Sequence, residues 1–150
     1  MAKRKRPGDV LAIPLGGGDF AYARLHRESV LGIYAGRYRS ISELPADAPY
    51  FRMLCVYASD LAALETVSHR PFADEAESWY PDFAVVDAVT GRKYGRYHRG
   101  EILPCAAEEC EGLEICAVWT VSHITDMLCG DTKWDDSITP HTGKDGRITI

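Results

Sequence analysis

From Asp9 to Tyr34, apolar and polar residues follow a β rhythm. Residues 10–13 (VLAI) form an apolar run, Leu15 follows, and Gly16-Gly17-Gly18-Asp19 reads as a turn. Beyond it Phe20, Tyr22 and Arg24 alternate with Ala21, Ala23 and Leu25, and a polar turn at 26–29 leads into 30–34. Three strands joined by short Gly- or charge-bearing turns predict an antiparallel meander. Pro14 has no N–H to give to a ladder, so it marks a strand end or an edge. Residues 35–50 read as a loop in which Ser40 or Ser42 caps a short helical turn. Residues 51–57 (FRMLCVY) carry the strongest buried-strand pattern, 59–64 are helical or irregular, and 65–69 make a short strand. Pro71, Pro81 and the acids of PFADEAESWYPDF predict an exposed connection. Residues 83–86 and 93–98 read as strands around the turn-forming Thr90-Gly91, with Tyr94, Arg96 and His98 on one side of the second.

The last third changes period. Ala106, Cys110, Leu113 and Ala117 are spaced by four, three and four, which is one face of a helix. Gly112 costs such a helix about 1 kcal/mol relative to Ala, and it alternatively divides the segment into a helix and a strand, CAVWTV. Ser122 is placed to cap a second helix and Gly130 to end it after Cys129. Residues 131–150 are polar and turn-rich, with an edge strand at 147–150. The predicted class is α+β: a curved antiparallel sheet first, either open or partly closed into a barrel, and short helices in the C-terminal third.

Charge divides the chain. Lys3, Arg4, Lys5 and Arg6 precede Pro7, and without them 13 basic residues face 22 acidic ones. Residues 1–7 are expected as a flexible basic arm and 8–150 as one domain large enough to build its own core. Between Glu101 and Asp136, nine carboxylates (Glu101, Glu108, Glu109, Glu111, Glu114, Asp126, Asp131, Asp135, Asp136) oppose Lys133 alone. Apolar residues are interleaved with these acids, which marks a folded surface rather than a disordered tail. So acidic a body repels phosphates, which argues against nucleic-acid binding by the domain. No apolar run approaches the roughly 18–20 residues of a membrane span, and the basic start lacks a secretory apolar stretch, so the expected address is the cytoplasm.

Glu108, Glu109, Glu111 and Glu114 lie within seven residues without an interleaved Lys or Arg. Self-repulsion there is not relieved by i,i+4 cations, so these acids are candidates for docking a basic partner, against the alternative of a solvated face. Trp79 and Tyr80 beside acids and Pro81, and Trp134 with Asp131, Asp135 and Asp136, are aromatic-plus-acid clusters of the kind that anchor interfaces. Trp119 is assigned to the core. Five cysteines contain no CxxC pair, and the spacings from Cys105 to Cys110 and from Cys110 to Cys116 exceed those of zinc sites, so no metal is expected. No GxSxG, HExxH, P-loop, dinucleotide or EF-hand pattern occurs. A cysteine (Cys55, Cys105 or Cys110) with a histidine (His69, His98 or His123) gives a dyad on paper, but neighbouring carboxylates make a poor thiolate. No catalytic residue and no cofactor is assigned.

The stretches GDVLAIPL (8–15) and FAYARL (20–25), together with ECEGLEICAVW (109–119) followed by His123, Ile124 and Leu128, resemble the immunity protein 26 family of bacterial polymorphic toxin systems. The likeness runs from about Gly8 to Trp134, with the middle matching poorly. It implies an antitoxin that binds a cognate protein toxin in the cytoplasm, without catalysis or cofactor. Toxins of such systems are frequently nucleases, whose basic grooves an acidic inhibitor can occupy. The rival expectations are a small hydrolase using carboxylates, with or without a metal, and an acidic adaptor for another basic protein.

Overall fold

The computed structural model describes residues 4–46, 48–86 and 94–131, and the backbone of 141–142 and 148–149. In chain order the elements are β1 (Asp9–Gly16), β2 (Asp19–Leu25), β3 (Val30–Tyr34), β4 (Tyr50–Val56), α1 (Ala58–Ala62), β5 (Glu65–His69), β6 (Phe83–Val86), β7 (Tyr94–His98), β8 (Glu101–Cys105), β9 (Val118–Trp119), α2 (Val121–Leu128), β10 (His141–Thr142) and β11 (Ile148–Thr149). They group into two compact units, Met1–Tyr80 with Val118–Asp131 and Pro81–Ala117 with Thr132–Ile150. The fold is α+β.

In the first unit the strand order is β5-β1-β2-β3-β4-β9, an open sheet that does not close into a barrel. Its pairings are antiparallel except β4 with β9. The β1–β2 turn needs Gly17 and Gly18 because both take positive φ, 64° and 85°, the type I′ pattern whose twist suits a two-residue hairpin. Pro14 pairs with Phe20, beyond the stretch of β1 that β5 covers, so its missing N–H leaves no ladder partner on that side unsatisfied. Both faces of β1 are covered. Val10, Ala12, Tyr22, Tyr34 and Leu44 form a buried cluster on one side, whereas the register sets Leu11 and Ile13 beside Ala23 and Ala21 on the other. There α2 packs on β1, with Ile124 and Met127 buried.

Strand β4 departs from its predicted polarity. Phe51 is 56% exposed while Arg52 is 7% exposed. Register pairs Arg52 with Ile33 on a core face, and the guanidinium is accommodated over the Trp119 ring, 5.2 Å from its centroid. Trp119 itself is core, as expected. The connection at 71–82 is exposed over most of 71–77, as its composition predicts, but 78–80 are not. Ser78 and Tyr80 are buried, and Arg24 ties the chain down by donating to the Arg70 and Pro71 carbonyls (2.6–2.9 Å). Near the N-terminus, Arg6 N–H donates to Asp9 (3.0 Å) and Lys5 Nζ to the Ala62 carbonyl (3.4 Å).

Helix α2 is capped two residues earlier than predicted. Thr120, not Ser122, is its N-cap and accepts the His123 N–H, while Asp60 of α1 accepts the Val121 N–H at 2.8 Å. Its end matches expectation: Gly130 (φ +98°) donates to the Met127 carbonyl and Asp131 to the Asp126 carbonyl, a Schellman stop.

The second unit contains the antiparallel sheet β6-β7-β8 and the pair β10-β11. The predicted Thr90-Gly91 turn lies outside the described residues. The β7–β8 turn uses Arg99 and Gly100, both with positive φ. No long helix follows. Ala107–Cys110 is one 3₁₀ turn, Gly112 takes φ +79°, and residues 114–116 bond to Ala84 of β6. The four-three-four stripe is therefore broken at Gly112, as the alternative of a helical piece followed by a strand anticipated.

Candidate functional site

The three-stranded sheet has two unlike edges. On the β6 edge, Ala84 N–H donates to the Glu114 carbonyl and its own carbonyl accepts the Cys116 N–H, each at 2.7 Å. On the β8 edge, Glu101, Ile102, Leu103 and Pro104 are all exposed. Ile102 keeps 61% and Leu103 45% of its surface in contact with solvent. An edge strand with bare aliphatic side chains invites pairing with another chain, and natural edges limit this with charge and proline. Glu101 and Pro104 bracket the apolar pair in that way.

Directly after β8 the chain turns through the predicted acidic cluster. Glu108, Glu109 and Glu111 are exposed, and Glu114 is half-buried. Cys110, fully buried between them, pins the turn to the sheet through the carbonyl of Gly95 on β7 (3.6 Å). Glu109 accepts the Ala106 N–H at 2.8 Å and so closes the first turn. Among the described residues no ion pair involves Glu108, Glu109 or Glu111. The arrangement is an apolar pair with carboxylates along its continuation. Such a surface is complementary to a protein with basic groups around an apolar centre.

The other predicted residues fare differently. Trp134, Asp135 and Asp136 lie outside the described residues. Trp79 belongs to the first unit and is half-buried: the Arg27 guanidinium sits 5.0 Å from its ring centroid, and Tyr80 packs against it at 5.8 Å. Tyr80 is buried and its hydroxyl donates to the Glu28 carboxylate. Arg27 also donates to Ser78 Oγ (2.7 Å) and pairs with Glu75 (3.5 Å). Trp79 thus fastens its own segment to the β2–β3 turn, where Glu28 and Ser29 hold positive φ.

Trp79 also borders a cleft of about 380 Å³ with Arg24, His26, Tyr34, Tyr50 and Glu77. Sequence reading did not single out this cleft, whose residues are scattered over more than fifty positions. His26 is 4% exposed, its Nε2 lies 2.9 Å from the Tyr50 hydroxyl, and its Nδ1 has no hydrogen-bond partner among the described residues. Burial first, then the Arg24 charge, lower its pKa to about 4, although Glu77 and the backbone of Ser78 and Trp79 act in the opposite sense. Burial and the neighbouring Tyr34 push Tyr50 up to about 12. Arg24 stacks on Phe72 at 3.9 Å and pairs with Glu77 at 3.5 Å. Arg24, through its contacts with Arg70, Pro71, Phe72 and Glu77, holds the 70–80 segment in place along the cleft.

Imidazoles elsewhere face carboxylates. His69 Nδ1 is 2.7 Å from Asp9, and His98 Nδ1 is 2.6 Å from Asp82. Asp82 also receives Arg96 at 2.7 Å, which places Arg96 and His98 on one side of β7 as their spacing predicts. Burial, and next the hydrogen bond with Cys105, push the Cys110 thiol up to about 11, with the neighbouring Glu109 carboxylate a smaller cause. Burial likewise raises the thiol of Cys116. Neither is a thiolate near neutral pH. Among the described residues there is no group of three or more His, Cys, Asp or Glu that could hold a metal ion. No helix among them is long and apolar enough to cross a membrane. No family model, curated protein or solved structure matches the chain.

Proposed function

We propose that this chain is an immunity protein that neutralises a cognate protein toxin by stoichiometric binding, docking it on the β8 edge and the acidic turn that follows. The observation that carries the reading is the run of exposed positions from Glu101 to Pro104, continued by Glu108, Glu109 and Glu111. An apolar centre supplies contact area, and the carboxylates select a basic surface and speed the encounter. The resemblance of residues 8–25 and 109–128 to immunity protein 26 supports the same class. In this reading the chain acts in the cytoplasm and needs no cofactor. The raised Cys110 thiol makes it a poor nucleophile for a cysteine–histidine dyad.

The partner to test is the toxin domain encoded beside this chain, titrated against the purified protein by calorimetry and stopped flow. A saturable one-to-one complex that suppresses the toxin is expected. Replacing Glu108, Glu109 and Glu111 together by Gln should slow association by roughly tenfold and flatten its salt dependence. Unchanged association would move the interface away from this turn. A neighbouring product that is neither toxic nor bound would remove the immunity reading itself.

A further inference from the structure

Two of the five cysteines stand apart from the rest. Cys105, at the end of β8, and Cys110, at the end of the following 3₁₀ turn, bring their Sγ atoms within 3.4 Å. Elsewhere Cys55 lies 3.9 Å from the Glu28 carbonyl and Cys129 3.9 Å from the Leu15 carbonyl. The members of the pair are unequal in access. Cys105 is half-buried, whereas Cys110 is fully buried against Gly95.

We propose that Cys105 and Cys110 form a reversible disulfide, with a low-molecular-weight disulfide such as oxidised glutathione as the electron acceptor. The sulfurs must close from 3.4 Å to the bonded distance of about 2.0 Å. The more accessible Cys105 is the attacking group. Its thiolate bonds to one sulfur of the oxidant, whose S–S bond breaks, and the departing thiolate takes up the proton that Cys105 released. Cys110 Sγ, already in contact, then attacks Cys105 Sγ, and its proton passes to the departing small thiolate, which leaves as the second thiol. Two electrons leave the two protein sulfurs, and the oxidant ends as two thiols. Burial keeps Cys110 away from the oxidant and holds its thiol protonated at neutral pH, so Cys105 reacts first and Cys110 attacks only through its contact with Cys105. The closed loop contains Ala106, Ala107, Glu108 and Glu109, so the bond ties the acidic turn to the end of β8. A reducing buffer reverses it. The inference stands on sulfur geometry and access, and it does not depend on the chain being an immunity protein.

The test uses the full chain, folded and without partner, equilibrated in glutathione buffers of rising oxidation. Free thiols are then alkylated under denaturing conditions, and the peptides are mapped by mass spectrometry. The expected result is one internal bridge joining Cys105 and Cys110, told apart by mass from glutathione adducts on the exposed Cys116 and Cys129. C116S should keep that bridge and C105S should lose it. In C110S, a glutathione adduct should accumulate on Cys105. No internal bridge at the most oxidising ratio, or a bridge mapped to any other pair, overturns the proposal. Because the wild-type map decides by itself, a failure of C110S to fold does not obscure the answer.

Discussion

His26 shows how a single side chain can make the fold acid-sensitive. Its folded pKa of about 4 lies below the ordinary value of 6.5. Protons therefore bind the unfolded chain first as pH falls, and native stability declines from about pH 6.5 down to about pH 4. At 1.36 kcal/mol per unit the full effect is roughly 3 kcal/mol. Arg24, Tyr50 and Glu77 face the imidazole, and the first of these adds to the cost of charging it. Urea unfolding of His26→Gln should lose less stability than wild type between pH 6.5 and 4, and parallel curves would assign the acid sensitivity elsewhere. His26 looked like a turn residue in sequence, because nothing beside it announces burial. Tyr50 and Phe72, which bury it, arrive from other parts of the chain.

At the scale of elements, hairpins were the most legible features and the last third the least. The β1–β2 turn follows from its glycines, and the β5 and β6 bounds coincide with the predicted 65–69 and 83–86. The β2–β3 turn is different, since Ser29 holds φ +61° without being glycine. Ser29→Gly relieves that strain against a smaller entropic loss, so it should stabilise by about 0.5–1 kcal/mol in thermal unfolding. Gly32 of β3 is needed for another reason: a Cβ there would meet the Tyr50 ring at 2.7 Å. Gly32→Ala should destabilise by about 1–3 kcal/mol, the range for overpacking. Strand β8 escaped prediction because its first four residues are exposed and its ladder partner, β7, supplies the reason for it to be extended. The stripe at 106–117 matched a helix only in spacing. Its Gly112 takes a left-handed conformation, and the carbonyl of Glu114 serves β6 instead of a helical turn.

For the whole molecule, the governing quantity is the charge imbalance outside the basic start, 13 against 22. Such a body should leave duplex DNA unshifted in a gel at about 150 mM salt, because the phosphate term that drives non-specific binding is repulsive here. A shift that vanishes on removing residues 1–7 would assign nucleic-acid contact to the arm alone. Two compact units divide this charge, and the acidic turn belongs to the second. The carboxylates were legible as a cluster from composition. Their exposure, and their continuation of an aliphatic edge, were not.

Local chemistry was thus enough to determine the α+β class, the opening meander, its first, glycine turn, the stop of α2 and the acidic character of the last third. Each of these rests on residues within a few positions of one another. Tertiary structure decided which way β4 faces, with Arg52 in and Phe51 out. It also decided that His26 is buried neutral, that β8 is a bare edge, and that Cys105 and Cys110 touch. These depend on register and on contacts between distant segments, where a shift of one residue turns every side chain to the other face.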